Sequence, residues 1–389
     1  MSESRHAESA SPHDFDKTSK RSWFFKQFFV IVLPVAVVAL LYRLDPFEPA
    51  RLPAQELSRP TLAAPARYEH MRRGSETLSE GHVAGPEDLA YDATVRVIYT
   101  GCEDGWIKRV GLNDSGVENW VNTGGRPLGL AFDQHGALIV ADADKGLLRV
   151  TREKEVELLV DEVQGLKFKL TDGVDVAHDG TIYFTDASYK YSIKESLFDI
   201  LEGKPNGRFF SYNPATKKTT LLVRDLYFPN GVAVSPDQHF VVFCETVLMK
   251  CKKYYIQGSK KGSIEKFCDL PGMPDNIHYD GQGKYWIGIA TAFTPDLDFI
   301  IRYPFIRKAI AMVTKYVVSL PLSRNGGVIA VDLEGKPTAH YYDPELSLTS
   351  VIKIGKHIYC SSILYNFVIR LDIEQYPALP TISTTKNIS

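Results

Sequence analysis

A short phrase recurs along the chain, in which a turn containing proline, aspartate or asparagine leads into an apolar strand. Its copies are Gly85–Ala90, Arg126–Ala131, Leu170–Val174, Phe228–Val234, Met273–Ile277 and a degraded copy at Leu348–Val351. A second apolar segment follows each copy, at Val97–Thr100, Leu138–Ala141, Ile182–Thr185, Phe240–Cys244, Tyr285–Ile289 and His357–Cys360. A repeat of roughly 40–50 residues with several strands per unit is typical of β-propellers. The sequence therefore predicts an all-β fold, a six-bladed β-propeller with helical insertions.

The first polar positions of the repeat are candidate metal ligands. In a propeller the equivalent point of every blade faces the central channel, so residues far apart in sequence converge on the axis. These positions hold carboxylates and amides, whose oxygens suit a hard cation such as Ca²⁺. Alternatively, Asp, Asn and Gly at these points only form the turns that precede strands. We predict a calcium site made of Glu87, Asp172, Asn230, Asp275 and Asn276.

Composition narrows the set of partners. The net charge is −2 over 389 residues, and no basic run with interleaved aromatic residues is present. Nucleic-acid binding is therefore excluded. The length accommodates one large domain with appendages. The expected partners are a small-molecule substrate and, through the N-terminal segment, a membrane.

The N-terminal segment predicts a membrane anchor. Residues 1–22 are polar and read as a disordered tail, whereas residues 23–44 are apolar over about the length that crosses a bilayer. A cleaved signal peptide is the rival interpretation, but no small-residue cleavage site follows the apolar run. Lysine and arginine are more frequent before the run than after it, which places the tail in the cytosol. We expect a type II single-pass protein whose propeller lies in the lumen of the secretory pathway, in the endoplasmic reticulum or vacuole, or outside the plasma membrane.

Three further boundaries follow from composition: a proline-rich stalk at 45–75, the propeller at 76–375 and a C-terminal tail at 376–389. Asn113 begins a glycosylation sequon in a turn-like segment, which is compatible with a lumenal domain. Of the five cysteines, Cys244 and Cys251 form a conceivable disulfide in such a compartment.

Two insertions interrupt the rhythm of the blades. Residues Lys190–Lys204 show helical apolar spacing, with Ser192 as N-cap, Glu195 three residues later and Gly203 at the end. This helix follows a predicted strand closely and is expected to fold over one mouth of the channel. The second insertion, Thr294–Leu322, is apolar on most faces but carries basic residues. It is interpreted as a lid, a pair of helices at a membrane surface, or a helical satellite core.

Five further motifs stand out within the repeats, at Gly125–Leu130, Val140–Ala143, Tyr183–Ser188, Gly207–Tyr212 and Pro274–Ile277. They resemble the strictosidine synthase-like family, and especially its plant members. The resemblance covers roughly residues 76–375 and the anchor, and it implies a six-bladed propeller. Strictosidine synthase itself condenses tryptamine with secologanin in a Pictet–Spengler reaction, using a glutamate in the last blade. Thr349 stands at that position in this chain, and a threonine cannot exchange protons near neutral pH as a tuned carboxylate does. Synthase activity is therefore not expected.

Glu87, Asn230 and Asp275 instead resemble the metal-binding positions of related propeller hydrolases, the gluconolactonases and paraoxonases. The resemblance implies a calcium-dependent hydrolase of small esters or lactones, with Asp142 as catalytic base. The other interpretation of Asp142 is that it closes the end of a strand. Residues expected to touch substrate are Thr171, Asp186 and Thr349, whereas His82 and His278 are expected to be structural. Two alternatives remain open. One is a Pictet–Spengler enzyme that uses another acid or base, and the other is a non-catalytic propeller in which the metal only holds the blades together.

Overall fold

The computed structural model describes residues 28–57, 66–112, 115–317 and 324–380. They fall into two compact units. One comprises the described residues 28–48 and 308–317, and the other comprises the described residues between 49 and 307 and from 324 to 380. The second unit carries six β-sheets of four or more strands. This is the predicted six-bladed β-propeller. Asn113, the predicted glycosylation site, lies outside the described residues.

Each blade is built on four antiparallel strands, which are numbered from the channel outwards. Blade 1 has strands Leu89–Asp92, Val97–Gly101, Trp106–Gly111 and Val117–Asn122, and blade 2 has Pro127–Phe132, Leu138–Asp142, Gly146–Val150 and Val156–Val160. Blade 3 has Thr171–Val176, Ile182–Asp186, Gly207–Asn213 and Lys218–Leu226, and blade 4 has Pro229–Val234, Phe240–Glu245, Lys250–Tyr255 and Ile264–Asp269. A small hairpin, Glu162–Val163 with Leu166–Lys167, precedes blade 3. The six apolar segments predicted after the repeat motifs are the second strands of the six blades.

The last two blades recruit strands from both ends of the chain. Blade 5 has strands Gly272–Tyr279, Lys284–Ala292, Gly326–Asp332 and Pro337–Asp343, extended by Ala66–Glu69 and Leu379–Pro380. Blade 6 has strands Ser350–Ile354, His357–Ser361, Val368–Asp372 and Ser75–Leu78. Because the last strand comes from the N-terminal side, its pairing with the third closes the ring. Parts of the predicted stalk and of the predicted C-terminal tail are thus strands of the propeller.

Apolar side chains fill the spaces between neighbouring blades. Most residues of the second strands are buried, and the strands Leu138–Asp142 and Ile182–Asp186 are buried along their whole length, because each is covered on both faces. Between blades 2 and 3, for example, Phe184 and Phe210 stack with their ring centroids 5.2 Å apart. This packing fixes the inner strands around the channel, and it is what positions the candidate site.

Both predicted insertions are helical. Helix α1, Leu33–Leu44, lies near the N-terminus. The first insertion contains a short 3₁₀ turn, Ile193–Glu195, followed by helix α2, Ser196–Glu202. The predicted capping box between Ser192 and Glu195 is present, and Gly203 ends the helix with a positive φ of 61°. The second insertion contains helices α3, Pro295–Arg302, and α4, Pro304–Tyr316. A further 3₁₀ turn spans Met71–Gly74.

The predicted membrane-spanning segment, residues 23–44, is described from residue 28 onwards. A π-helical turn, Phe28–Val32, is followed by the twelve-residue helix α1, Leu33–Leu44. Pro34 lies in the first turn of α1, where an amide hydrogen has no acceptor within the helix and proline is tolerated. Among the described residues, no helix has both the length and the apolar character needed to span a bilayer. The single spanning helix predicted over 23–44 is therefore not supported.

Candidate metal centre

Three carboxylates from three different blades meet in the channel. Glu87 precedes the inner strand of blade 1, Asp172 lies in that of blade 3, and Asp275 in that of blade 5. One carboxylate oxygen from each lies within 4.8 Å of the other two. Glu87 and Asp172 are each only 3% exposed. We call these three residues, with Asn230 of blade 4, the channel cluster.

Several oxygen atoms in and beside the channel cluster are buried without a hydrogen-bond partner in the part of the chain that the structure describes. They are Glu87 Oε2, Asn230 Oδ1, Asp275 Oδ1 and, next to Asp172, Thr171 Oγ1. Leaving a buried polar atom without a partner costs about 1–3 kcal/mol. Such a group of orphaned oxygens indicates a missing ligand, and carboxylate and amide oxygens are the donors that Ca²⁺ prefers. The residues present therefore fit a calcium ion.

The other predicted site residues hold the channel cluster in place. The Asn276 side-chain amide donates to Glu87 Oε1 at 2.7 Å, and the Asn230 side chain bonds to Asp275. The hydroxyl of Thr349, which is buried, donates to the backbone carbonyl of Glu87 at 2.7 Å. Thr349 therefore fixes the backbone of a candidate ligand. Its predicted role in substrate binding stays a prediction.

Repulsion and burial raise the pKa values of all three carboxylates. For Glu87 the causes are burial and then the charges of Asp275 and Asp172, while for Asp172 they are burial and then Asp275. Burial, with the charge of Asp88, raises the pKa of Asp275 to about 8. Without a cation, these shifts favour the protonated forms of the three carboxylates. A bound divalent cation would replace those protons and favour the ionised ligands.

Blade 2 contributes a buried cation close to the channel cluster, a feature that sequence reasoning missed. Arg126 is buried, and its guanidinium donates to the carbonyls of Gly85, Gly101 and Pro127. Burial lowers the pKa of Arg126, while the charge of Glu87 opposes that shift. The signal was available, because Arg126 is the first residue of the repeat copy in blade 2. Its charge offsets part of the negative charge of the channel cluster.

Asp142, the predicted catalytic base, is not part of the channel cluster. It is fully buried at the end of the second strand of blade 2. Its Oδ1 accepts the amide hydrogens of Arg126, Asp144 and Lys145, and its Oδ2 accepts the Thr123 hydroxyl at 2.7 Å. These hydrogen bonds explain Asp142 as a structural residue, because they join the end of the second strand to the residues that lead into the inner strand. We call a carboxylate in this position a bracket. Its role as catalytic base stays a prediction.

Asp186, which was predicted to touch substrate, has the same structural position in blade 3. It accepts the amides of Lys169 and Leu170 and forms an ion pair with buried Arg208 at 2.7 Å. In blade 4 the equivalent Glu245 accepts the amide of Tyr227. In blades 2, 3 and 4 the second-strand carboxylates thus hold the residues that lead into the inner strand. Contact between Asp186 and substrate stays a prediction.

A second polar layer lies one residue further along the inner strands. Asp88 Oδ1 contacts His278 Nε2 at 2.7 Å and accepts the Ser350 hydroxyl at 2.6 Å, while Oδ2 accepts the amide of Leu130. Burial alone would lower the pKa of His278, but Asp88 raises it above its ordinary value. Asp88 is thus satisfied by protein groups, which distinguishes it from its neighbour Glu87.

Fold and site together define a six-bladed propeller with an oxygen-rich, cation-type centre in its channel. A family model described as "Strictosidine synthase" matches residues 172–259, and one described as "Strictosidine synthase-like, N-terminal" matches residues 73–110. Protein STRICTOSIDINE SYNTHASE-LIKE 7 of Arabidopsis thaliana is 49% identical, over 90% of this chain and 95% of the relative. Adipocyte plasma membrane-associated protein of Homo sapiens is 30% identical, over 94% of each chain. The chain belongs to the strictosidine synthase-like family.

Solved structures show the same fold at low sequence identity. A gluconolactonase from Xanthomonas campestris superposes with a TM-score of 0.57 and 17% identity, covering 83% of this chain and 99% of that one. The calcium-binding protein regucalcin from Agrobacterium tumefaciens gives a TM-score of 0.55 and 14% identity, covering 79% and 95%. At these identities the likeness establishes the propeller architecture alone.

Proposed function

We propose that the protein is a calcium-dependent hydrolase of small carboxylic esters or lactones, with the channel cluster as its metal centre. The observation that carries the proposal is the set of buried, unpartnered oxygens of Glu87, Asn230 and Asp275, grouped with Asp172. The descriptions of the structural neighbours as a gluconolactonase and a calcium-binding protein support it.

The reaction is the addition of water to an acyl group. When bound, a divalent cation polarises the carbonyl and stabilises the negative charge that develops on its oxygen. A bond forms between the water oxygen and the carbonyl carbon, the acyl C–O bond breaks, and the proton of water passes to the departing alcohol oxygen. Glu87, Asp172, Asn230 and Asp275 would hold the cation, while Asn276 and Thr349 keep Glu87 oriented.

The role of Asp142 as base for this proton transfer, which the sequence predicts, can be tested separately from the metal. The Asp142→Asn variant preserves shape but cannot accept a proton. Loss of hydrolysis together with retained calcium binding and retained stability would support catalysis by Asp142. Its four hydrogen bonds instead predict lower stability with residual activity, because the variant disturbs the bracket.

Hydrolysis is tested with the full-length protein, stripped of metal with a chelator and then resupplied with Ca²⁺. We expect turnover of phenyl acetate only after calcium is added, and none by Asp275→Ala. The exposed Asp179→Asn variant on a turn of blade 3 is the matched control and should behave like wild type. Equal turnover with and without calcium would refute the proposal. Calcium binding without turnover of esters or lactones would instead support the non-catalytic propeller.

The same preparation can test condensation of tryptamine with secologanin. The Thr349 hydroxyl is engaged with the Glu87 carbonyl, so we expect no product. Formation of a Pictet–Spengler product would replace hydrolysis as the assigned function.

We further propose that the propeller is membrane-attached and lumenal. The apolar segment Phe28–Leu44 exposes many large side chains, and a relative carries the name adipocyte plasma membrane-associated protein. The disulfide between Cys244 and Cys251 fits an oxidising compartment. Membrane pellets should retain the protein after carbonate washing, and endoglycosidase should shift wild type but not Asn113→Gln. Release by carbonate, or no glycan on Asn113, would contradict these assignments.

A further inference from the structure

The inner strands of blades 2 to 5 share an irregularity at the level of the channel cluster. In blade 3, three steps along the inner strand, from Thr171 to Val174, match two steps along the second strand. The same shift occurs in blades 2, 4 and 5. Each of these inner strands therefore contains a β-bulge, which inserts one residue and turns a side chain in a new direction. The bulges of blades 3, 4 and 5 hold three residues of the channel cluster, Asp172, Asn230 and Asp275.

Glycine occupies the same position in three consecutive inner strands. Gly129, Gly173 and Gly231 are the third residues of the inner strands of blades 2, 3 and 4. In blades 3 and 4 the glycine directly follows Asp172 and Asn230, which belong to the channel cluster. Within strands, glycine is typical of bulges and of places that another backbone approaches closely. The recurrence therefore indicates a close contact between neighbouring blades at this level.

The backbone of the next blade occupies the space that a side chain would need at these glycines. A Cβ atom on Gly173 would lie 2.4 Å from the carbonyl oxygen of Asn230. One on Gly231 would lie 2.6 Å from the carbonyl oxygen of Asp275, and one on the glycine of blade 2 would lie 2.3 Å from that of Asp172. Ordinary contact begins at 3.4 Å, so a side chain would push the strands apart by about 1 Å. Each glycine therefore lets the cluster residue of the next blade come close.

Hydrogen bonds hold the strands at this short spacing. The Thr185 hydroxyl in the second strand of blade 3 accepts the amide hydrogen of Gly173 at 2.9 Å and donates to the carbonyl of Asn230 at 2.8 Å. In the next blade, the Thr246 hydroxyl donates at 2.8 Å to the carbonyl of Pro274, which precedes the cluster residue of blade 5. Backbone contacts between blades, and not only the cluster side chains themselves, therefore fix the spacing of the candidate ligands.

The spacing of the ligands matters because the size of a cation decides the length of its bonds to oxygen. Oxygen ligands bind Ca²⁺ at about 2.3–2.6 Å, and selectivity between hard cations depends on cavity size, ligand number and flexibility. Carboxylate oxygens of the channel cluster lie within 4.8 Å of one another, a separation that two such bonds can span. Ba²⁺ has the same charge and also prefers oxygen, but it is larger and needs longer bonds. A spacing held by backbone contacts should therefore discriminate against Ba²⁺.

We propose that Gly173 and Gly231 determine the ion selectivity of the channel cluster. Because they allow neighbouring blades to approach, they set a ligand spacing that fits Ca²⁺ and disfavours the larger Ba²⁺. They are positioning residues, since neither has a side chain that could touch the ion. The inference rests on the metal centre of the proposed function, but it does not require that the protein hydrolyses esters.

The test measures the binding of Ca²⁺ and of Ba²⁺ to the metal-stripped, full-length protein by titration calorimetry. Wild type should bind Ca²⁺ more tightly than Ba²⁺. Gly173→Ala should lower the affinity for Ca²⁺ by about 10- to 100-fold, the usual cost of disturbing residues that orient metal ligands. The affinity for Ba²⁺ should fall less, so that the ratio of the two affinities narrows.

The matched control strains a similar contact at the outer rim of the propeller. A Cβ atom on Gly335, in a turn of blade 5, would lie 2.3 Å from the carbonyl oxygen of Phe267 in the outer strand of blade 4. Gly335→Ala should therefore destabilise the protein in thermal unfolding but preserve the wild-type ratio of affinities. A loss of stability alone is thereby distinguished from a change in ligand spacing.

A second variant, without added bulk, keeps the test decisive if Gly173→Ala does not fold. Thr185→Val retains the shape of the side chain but removes the hydroxyl that joins Gly173 to Asn230. It should narrow the ratio of affinities in the same direction, by a smaller factor. Thr100→Val is its matched control, because Thr100 is also buried in a second strand and its hydroxyl has no hydrogen-bond partner in the part of the chain that the structure describes.

The outcomes separate this inference from the hydrolase proposal. If the ratio narrows in the two variants and not in their controls, the role of the glycines is supported, even where wild type hydrolyses no ester or lactone. Equal affinity of wild type for the two ions overturns the role, as does a ratio that the folded variants leave unchanged or that the controls change as much. Either result would do so even where calcium-dependent hydrolysis is confirmed. Absence of binding of both ions by wild type overturns this inference together with the metal centre.

Discussion

Two sets of carboxylates recur in the blades of the propeller, one in blades 2, 3 and 4 and the other in blades 1, 3 and 5, and they differ in what surrounds them. Asp142, Asp186 and Glu245, at the ends of second strands, accept backbone amide hydrogens from the starts of the inner strands. Glu87, Asp172 and Asp275, in the channel, face one another instead. The first set is engaged by backbone amides and cations, and even Glu245 Oε2, which accepts no hydrogen bond from the described part of the chain, forms an ion pair with Lys252. The second set includes buried oxygens that have neither kind of partner among the described residues. A recurring acid is therefore structural where the fold satisfies it and a candidate ligand where the fold does not.

Breaking the bracket in blade 3 should have the largest effect on stability. Asp186 is fully buried and paired with Arg208, so Asp186→Asn leaves a buried guanidinium without its counter-charge. We expect a loss of about 3–5 kcal/mol in the free energy of unfolding, measured by urea titration. Calcium should still stabilise this variant if it folds. A change below about 0.5 kcal/mol would show that the two sets of carboxylates do not differ as described.

Removing a channel ligand should have the complementary effect. Wild type should gain about 2.7 kcal/mol of stability at a calcium concentration one hundred times the dissociation constant. Asp275→Ala should lose most of this gain, because it removes one of the three clustered carboxylates. Thermal unfolding with and without calcium provides the measurement. Equal calcium-induced shifts in the two proteins would exclude Asp275 as a ligand.

Replacing Arg307, which links the two helical insertions, should lower the free energy of unfolding by an intermediate amount. Arg307→Gln removes charged hydrogen bonds to Leu201 and Ala50, for which we expect a loss of about 2 kcal/mol. Arg152, which donates to the Gly136 carbonyl on the surface, provides the matched control. Arg152→Gln should change stability by less than about 0.5 kcal/mol. Equal effects of the two substitutions in urea titrations would show that the hydrogen bonds of Arg307 to Leu201 and Ala50 do not stabilise the protein.

The smallest predicted effect, when it is counted per pH unit, is a dependence of the stability of the metal-free protein on pH. The pKa of Asp275 is raised from 3.8 to about 8, so between these values the unfolded chain has released a proton that the folded chain retains. The contribution of Asp275 to stability should therefore fall as pH rises through this window, by at most about 1.4 kcal/mol per pH unit. Asp275→Asn should flatten the dependence, and saturating calcium should remove it. Metal-free stability that rises from pH 5 to 8 by the same amount in both proteins would contradict the electrostatic description of the cluster.

The sequence predicted the propeller because its repeat places a polar turn and an apolar strand in every blade. It also predicted the capped helix over Lys190–Lys204, since capping and helical spacing are local signals. The strands Ala66–Glu69 and Leu379–Pro380 could not be found in this way, because their pairing with blade 5 is a tertiary contact. Proline-rich composition favoured a stalk in the first of these regions.

For the site, the repeat register brought Glu87, Asp172 and Asp275 to attention, and the structure places them together. The repeat register alone could not distinguish candidate metal ligands from the structural carboxylates at the ends of second strands. Asp142 looked similar to them in sequence. Its four hydrogen-bond donors, however, come from the loop Thr123–Arg126 and from the turn that follows Asp142 itself. Arg126 was not predicted at the site, because metal ligands were sought only among residues with oxygen donors. Hydrogen-bond satisfaction, which sequence does not reveal, decided between the two classes.

The most direct test of the metal centre is calcium titration calorimetry on full-length wild type, Asp275→Asn and Asp142→Asn. We predict binding by wild type, loss of binding in Asp275→Asn, and retained binding in Asp142→Asn. Absence of binding in wild type, or equal loss in both variants, would contradict the assignment of the channel cluster as the metal centre.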